Sequence, residues 1–400
     1  MTFLYATKAR SPELRRAYWL KITLVVAFFS GFLLSLKLWG SDRFFPLAPV
    51  FEFLPPIPAS FDYLLLGLMF LWLVAIALIW RSQKLIWGFL ILAFGFSLWD
   101  QNRWQPWFYQ YLWMLGALSF YPWQKSDANN RKASLNICRL IVVSLYFWSG
   151  IQKMNVLFLQ EVFPWMLEPF SRHWPESLKQ LVNLTGYAVP FIETAIGLGL
   201  LTRRFRPISL GLAIAMHLFI LLCIGPLGHG VNSVIWPWNL AMIAFLLLLF
   251  VRTESITAKS IIGIKNSLPH KIGLVFFGIM PFFSFFDLWD SYLSAALYSG
   301  NIAQAHIFIE ESVKKNLPSS LGAHLSKTES RAGYKLNLLD WSSEAVGVPP
   351  YPEARFYRRI AHSLCDYATQ PNDVILIIEE KADWLSGKRN SSVYNCVSQP

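Results

Sequence analysis

LNICRLIVVSLYFWSGIQKMNVL, residues 135 to 157, is an apolar run long enough to cross a bilayer, and it carries a lysine, Lys153, close to its far end. A charge in hydrocarbon costs several kcal/mol unless it is paired or reaches water. Lys153 therefore marks either a chemical site or a helix end whose amine reaches the headgroups. In helical register Tyr146, Ser149 and Gly150 share its face. That makes a narrow polar stripe beside a small residue that permits close approach of a neighbouring helix.

Working outward, further apolar runs occur at about 18–39, 62–80, 84–99, 106–122, 185–201, 206–227, 233–251 and 271–289. With the first they suggest an all-α polytopic membrane bundle of about nine transmembrane helices over residues 1–290. The runs at 84–99, 106–122 and 185–201 are short for a full crossing. Residues 291–400 read differently. Phe356, Ile360, Leu364 and Tyr367 recur at helical spacing, and DVILIIEE, 373 to 380, reads as a buried strand. A small α+β extramembrane C-terminal domain is expected there.

The composition agrees, with 54% hydrophobic residues and a mean hydropathy of +0.40. The net charge of +11 needs no nucleic acid as partner. Residues 291–400 hold 11 basic and 11 acidic side chains, so the excess lies in the loops of the membrane part. Those loops alternate. With the N-terminus inside, the inner set includes Lys8, Arg10, Arg15, Arg16, Arg81, Lys84, Lys125, Arg139, Arg203, Arg206, Arg252 and Lys265, while the outer loops are poor in basic residues. Nine crossings then place the C-terminal domain outside. A bacterial inner membrane, with a cytoplasmic N-terminus and a periplasmic C-terminal domain, is the expected location. Asp127, Asn129 and Asn130 mark an inner turn, and Gly225 to Gly230 an irregular outer segment.

If the Lys153 helix continues to Leu159, Lys153 lies about 9 Å below its outer end, Glu193 about 12–14 Å deep and His217 about 10–15 Å deep. Three ionisable residues on three consecutive spans thus fall in one half of the bilayer, where such groups turn toward the bundle interior. A lysine shielded from water can act as a base, tuned by a nearby carboxylate or imidazole. That chemistry suits proton abstraction from a membrane-dissolved hydroquinone. The plainer alternative is a Lys153–Glu193 ion pair that fixes helix register, with His217 donating to a backbone carbonyl. His229 reads as a solvated loop histidine. Asp100 and Arg103, one turn apart in an aromatic hairpin, read as a surface ion pair in an interfacial belt or as part of a ligand site.

Cys138 and Cys223 fall in spans and read as small core residues. Cys365 and Cys396 lie in the tail, where an outer location would permit a disulfide that sequence cannot assign. No motif with metal or nucleotide apparatus appears, and no metal is expected.

Four short motifs together resemble the membrane region of the vitamin K-dependent gamma-carboxylase family, also called the horizontally transferred transmembrane domain. They are Asp100-x3-Trp104 followed by Tyr109 and Tyr111; Tyr146-Phe147-x2-Gly150-x2-Lys153; Ser171-Arg172-His173-Trp174; and the His217 span. The similarity covers about residues 90–250. It implies Lys153 as the base acting on a hydroquinone, His217 in the same site, Arg172, His173 and Trp174 close by on the outer side, and Glu193 where the family has an acidic residue; Tyr146, Ser149, Asp100 and Arg103 are further substrate-binding candidates. Two positions depart from the pattern: Gln152 replaces the first of two lysines, and Trp107 replaces a histidine. The tail is also too small for the carboxylases' protein-binding domain. A looser resemblance joins GLGLLTRRFRP, after Glu193, to the DoxX and MauE-type membrane proteins associated with quinone or thiol redox systems. The expected function is quinol binding with a lysine base. The alternative is a non-catalytic membrane component that supports a redox or secretion partner.

Overall fold

A computed structural model describes residues 11–58, 60–123, 128–253, 256–263, 267–328, 333–383 and 386–397. Lys8, Arg10, Lys125, Asp127 and Lys265 lie outside them. Helix α1 (Pro12–Leu34) begins where Ser11 accepts from the Leu14 nitrogen at 3.2 Å, with Pro12 in the first helical position, where its missing N–H costs nothing. It is followed by α2 (Phe61–Leu78), α3 (Gln83–Ser97), α4 (Pro106–Ser119) and α5 (Ala128–Gln152). Asn129 and Asn130 lie in the first turn of α5 and not in a connecting turn. Beyond α5 come α6 (Phe163–Ser171), α7 (Glu176–Leu184), α8 (Ala188–Leu201), α9 (Arg206–Ile224) and α10 (Ile235–Phe250). Helix α11 (Leu268–Gly273) runs on through a wider and then a tighter helical turn to Phe286.

Six helical runs are long and apolar enough to cross a membrane among the described residues: α1, α2, the Lys132–Gln152 part of α5, the continuous run Glu176–Leu201, α9, and Leu268–Phe286. The other three runs expected to cross form shorter helices. Helices α3, α4 and α10 have 15, 14 and 16 residues. At 1.5 Å per residue such helices reach only about 21–24 Å, against about 30 Å of hydrocarbon.

Helix α5 is the centre of the bundle. It is the most enclosed of the six, and it packs most extensively on α8. Two glycines explain that closeness. A Cβ at Gly150 would lie 2.5 Å from the Thr194 nitrogen and 2.6 Å from the Pro190 oxygen, and one at Gly197 would lie 2.8 Å from the Phe147 nitrogen. The backbones therefore meet directly, as small residues allow between membrane helices.

The tail folds as expected in kind. Strands β1 (Gln304–Ile309), β2 (Leu325–Lys327), β3 (Tyr334–Leu336), β4 (Val374–Glu379) and β5 (Ser391–Asn395) form one antiparallel sheet in the order β2-β3-β1-β4-β5. Helices α12 (Leu338–Val346) and α13 (Ala354–Cys365) accompany it. Val374, Leu376 and Ile378 alternate inward along β4, and α13 buries Phe356, Ile360 and Leu364. Period two and period 3.6 thus put both apolar faces into one core. Cys365 and Cys396 are joined, with Cα atoms 5.6 Å apart. The ring of Phe45, between α1 and α2, meets Trp341 of α12 at 4.7 Å and ties the tail to the bundle.

Candidate functional site between three helices

Helix α5 ends at Gln152, five residues before the end of the apolar run that contains it. Asn155 makes the break. Its side chain donates to the Gln152 and Ser299 carbonyls, each at 2.8 Å, and accepts from the Phe158 nitrogen at 2.9 Å. One residue thus closes a helix end and opens the next turn, satisfying backbone groups that would otherwise be orphaned. Lys153 consequently sits at a helix end and not within a continuous rod to Leu159.

Its amine nevertheless points inward. Lys153 Nζ lies 2.9 Å from Glu193 Oε2 of α8, and both side chains are largely buried. It also donates to the Ser149 hydroxyl, one turn back, and to the Ser149 carbonyl at 3.3 Å. The close approach at Gly150 and Gly197 is what brings Glu193 within reach.

A second unit lies beside this pair. His217 of α9 has Nδ1 2.7 Å from the Asn239 Oδ1 of α10, and the Asn239 amide donates to the Ile235 carbonyl at 2.8 Å. The Asn239 oxygen can only accept, so Nδ1 carries the imidazole proton and Nε2 is the acceptor. Tyr146 then donates its hydroxyl to Nε2 at 2.5 Å. Tyr146, Ser149, Lys153, Glu193, His217 and Asn239 all line one cavity of about 110 Å³, whose remaining wall is mostly apolar.

The other sequence candidates lie elsewhere. Arg172 pairs with Glu168 at 3.2 Å, and Arg172 and His173 are exposed. Neither they nor Trp174 lines the cavity. Asp100 is paired with Arg43 and not with Arg103. Arg103 is fully buried, donating to the carbonyls of Leu38, Phe96 and Trp39. Neither Asp100 nor Arg103 lines the cavity, and the pair expected at the surface does not form. His229 is half-buried and held in place: it stacks on Trp165 at 4.3 Å and bonds the Trp165 carbonyl at 2.6 Å. Gln152, where the carboxylase pattern has a lysine, donates to Ser284 at 2.6 Å. Asn239 escaped the sequence reading, although an amide inside the apolar IWPWNLAMIAF was a usable signal. Among the described residues no cluster of three or more His, Cys, Asp or Glu could hold a metal ion.

The fold and the buried polar cluster define an integral membrane protein. Residues 131–234, about a quarter of the chain, match the sequence model of the family described as Methylamine utilisation protein MauE. Of the two resemblances read from the sequence, the match falls on the MauE side. The matched stretch contains Tyr146, Lys153, Glu193 and His217, while Asp100, Arg103 and Asn239 fall outside it. No curated protein and no solved structure matches the chain.

Proposed function

We propose that the chain is a non-catalytic, MauE-like membrane component that supports a redox or secretion partner, with its polar cluster fixing the register of α5, α8, α9 and α10. One observation carries this reading: every ionisable side chain in the cluster already has a partner within it. Lys153 is matched by Glu193 and Ser149, and His217 by Tyr146 and Asn239. A closed network of this kind specifies one packing and leaves little to offer a guest. The cavity agrees in size, since about 110 Å³ is below the roughly 300–1,000 Å³ of ordinary ligand sites. In this reading α3, α4 and α10 complete nine crossings as short or tilted helices. The basic loops hold the N-terminus in the cytoplasm of a bacterial cell, and the tail faces the periplasm. The Cys365–Cys396 bond supports that side, because disulfides persist in oxidising compartments.

A second reading, a lysine base acting on a quinol in the manner of the carboxylases, is favoured by the shared cavity of Lys153, Tyr146 and His217. One substitution separates the two. If the cluster is structural, Lys153→Met strands Glu193 in the membrane and lowers the melting temperature and yield, at a cost of about 3–5 kcal/mol. If the site is chemical, the variant folds as well as the wild type and loses a quinone that otherwise co-purifies, as read by mass spectrometry of the detergent extract.

A further inference from the structure

We propose that a long groove along α3, α4 and α11 binds one neutral, long-chain amphiphile whose head carries carbonyl oxygens. The groove shares no residue with the Lys153 cavity, and its assignment does not depend on the reading of that cluster. It has a volume of about 1210 Å³, over ten times that of the polar cavity. Its walls are almost wholly apolar, with Leu90, Phe94, Trp113 and Phe276 among them. It follows α3 from Trp87 to the residue after its end, Leu98, and a helix of that length is about 18 Å long. A molecule that fills it has an extended tail.

Two glycines keep the floor open. A Cβ at Gly95 would meet nothing within 4 Å, and one at Gly116 would meet only Leu90 Cδ1 at 3.7 Å. Both lie inside helices and both line the groove. Glycine in a helix interior costs roughly 0.5–1 kcal/mol relative to alanine, and packing within the chain asks for neither. Their absent side chains are the space a guest would use.

The end nearer the sheet states what kind of head fits. Arg355, half-exposed, donates both terminal nitrogens to Asp290 and its Nε to Gln101 at 2.7 Å. The pairing cancels the charge and uses three of the five guanidinium N–H donors. A neutral head with acceptor oxygens suits such a site, whereas an anionic phosphate would compete with Asp290 for the cation. Trp104 and Trp289 line the same end, as aromatic side chains do at a membrane interface. A partner helix fits less well. Its carbonyls are already bonded within the helix and cannot meet the guanidinium donors that Asp290 and Gln101 leave open.

The test uses the whole protein in mild detergent, incubated with equal amounts of dioleoylglycerol, a long-chain isoprenoid quinone and phosphatidylglycerol, then freed of excess and weighed by native mass spectrometry. Gly95→Leu and Gly95→Leu/Gly116→Leu fill the groove. Gly211→Leu is the control, because a Cβ at Gly211 also meets nothing within 4 Å and this glycine lies outside the groove. Wild type and Gly211→Leu should each retain one neutral lipid per chain, and the identity of that lipid, diacylglycerol or quinone, fixes the source. The filled variants should retain at least about tenfold less, equivalent to about 1.4 kcal/mol of binding, without a fall in melting temperature. Should the double variant not fold, Gly95→Leu alone decides. Retention of phosphatidylglycerol in place of the neutral lipids, no retained lipid on the wild type, or equal retention by the filled variants overturns the proposal.

Discussion

Arg103 and Lys153 are both cations held away from water, and they are held in opposite ways. Arg103 reaches backbone carbonyls of Leu38, Trp39 and Phe96, in two segments far apart in sequence or separated from it by a helix end. Lys153 reaches one carboxylate across a helix pair, plus its own preceding turn. The first arrangement is anchored in main chain, which no substitution can remove. The second is anchored in a side chain, which can be removed along with the lysine. Carbonyl anchoring is the commoner habit here: Lys21 donates to the Ile79 carbonyl at 2.8 Å, Arg139 to Leu249 at 2.7 Å, and Arg206 to Leu200 at 3.0 Å. Cations at carbonyl ends satisfy groups a helix leaves open and complement its dipole. The Lys153–Glu193 pair departs from that habit, which is why it is singled out as a specifying contact between α5 and α8.

The contrast can be broken at several points. The largest effect is expected from Arg103→Met, which leaves three carbonyl contacts without their donor in a buried site. The expected loss is about 3–5 kcal/mol in detergent unfolding, with no second-site change at Asp100 or Arg43 restoring it. Recovery by such a change would mean that Arg103, too, is held by side-chain charge. Next in size, Gly150→Ala should cost about 1–3 kcal/mol, because the added carbon enters the Thr194 and Pro190 backbone and pushes Glu193 away from Lys153. A neutral result would show that α5 and α8 can separate without disturbing the pair.

The smallest effect lies in the C-terminal sheet region, where a charge is held in the open. Asp373 accepts from the Gln370 and Thr369 nitrogens, each at 2.9 Å, and these bonds hold its carboxyl below the ordinary value of 3.8. A depressed carboxyl contributes stability that is fully present above that ordinary value and is lost as pH falls through the folded one. Asp373→Asn should therefore trail the wild type at neutral pH and converge with it in acid, in melts followed through the tail's near-ultraviolet signal. A gap that persisted at low pH would assign the effect to packing and not to titration.

How far each region was legible follows from the range of the contacts that make it. The face shared by Tyr146, Ser149, Gly150 and Lys153 is a matter of helical spacing, and it lines one cavity as that spacing implies. Helix α13 and strand β4 were legible for the same reason, since their apolar residues repeat at 3.6 and at two. The break after Gln152 was not. Asn155 depends on the Ser299 carbonyl, 144 residues away, and nothing in NVLFL announces it. Asp100 and Arg103 were misread because proximity in sequence suggested a pair, while the true partner, Arg43, arrives from the loop after α1. The lengths of α3, α4 and α10 were not legible either, because apolar composition does not record where a short helix stops.

In the register-fixing role proposed for the cluster, Lys153 and Glu193 matter to the fold chiefly through each other. A double-mutant cycle in detergent unfolding with Lys153→Met, Glu193→Leu and the pair together measures this directly. The expected result is that each single variant is destabilised, that the double variant recovers most of the loss, and that the interaction energy is at least as large as the loss in either single variant. Additive losses, or a Lys153→Met protein as stable as the wild type, would contradict it.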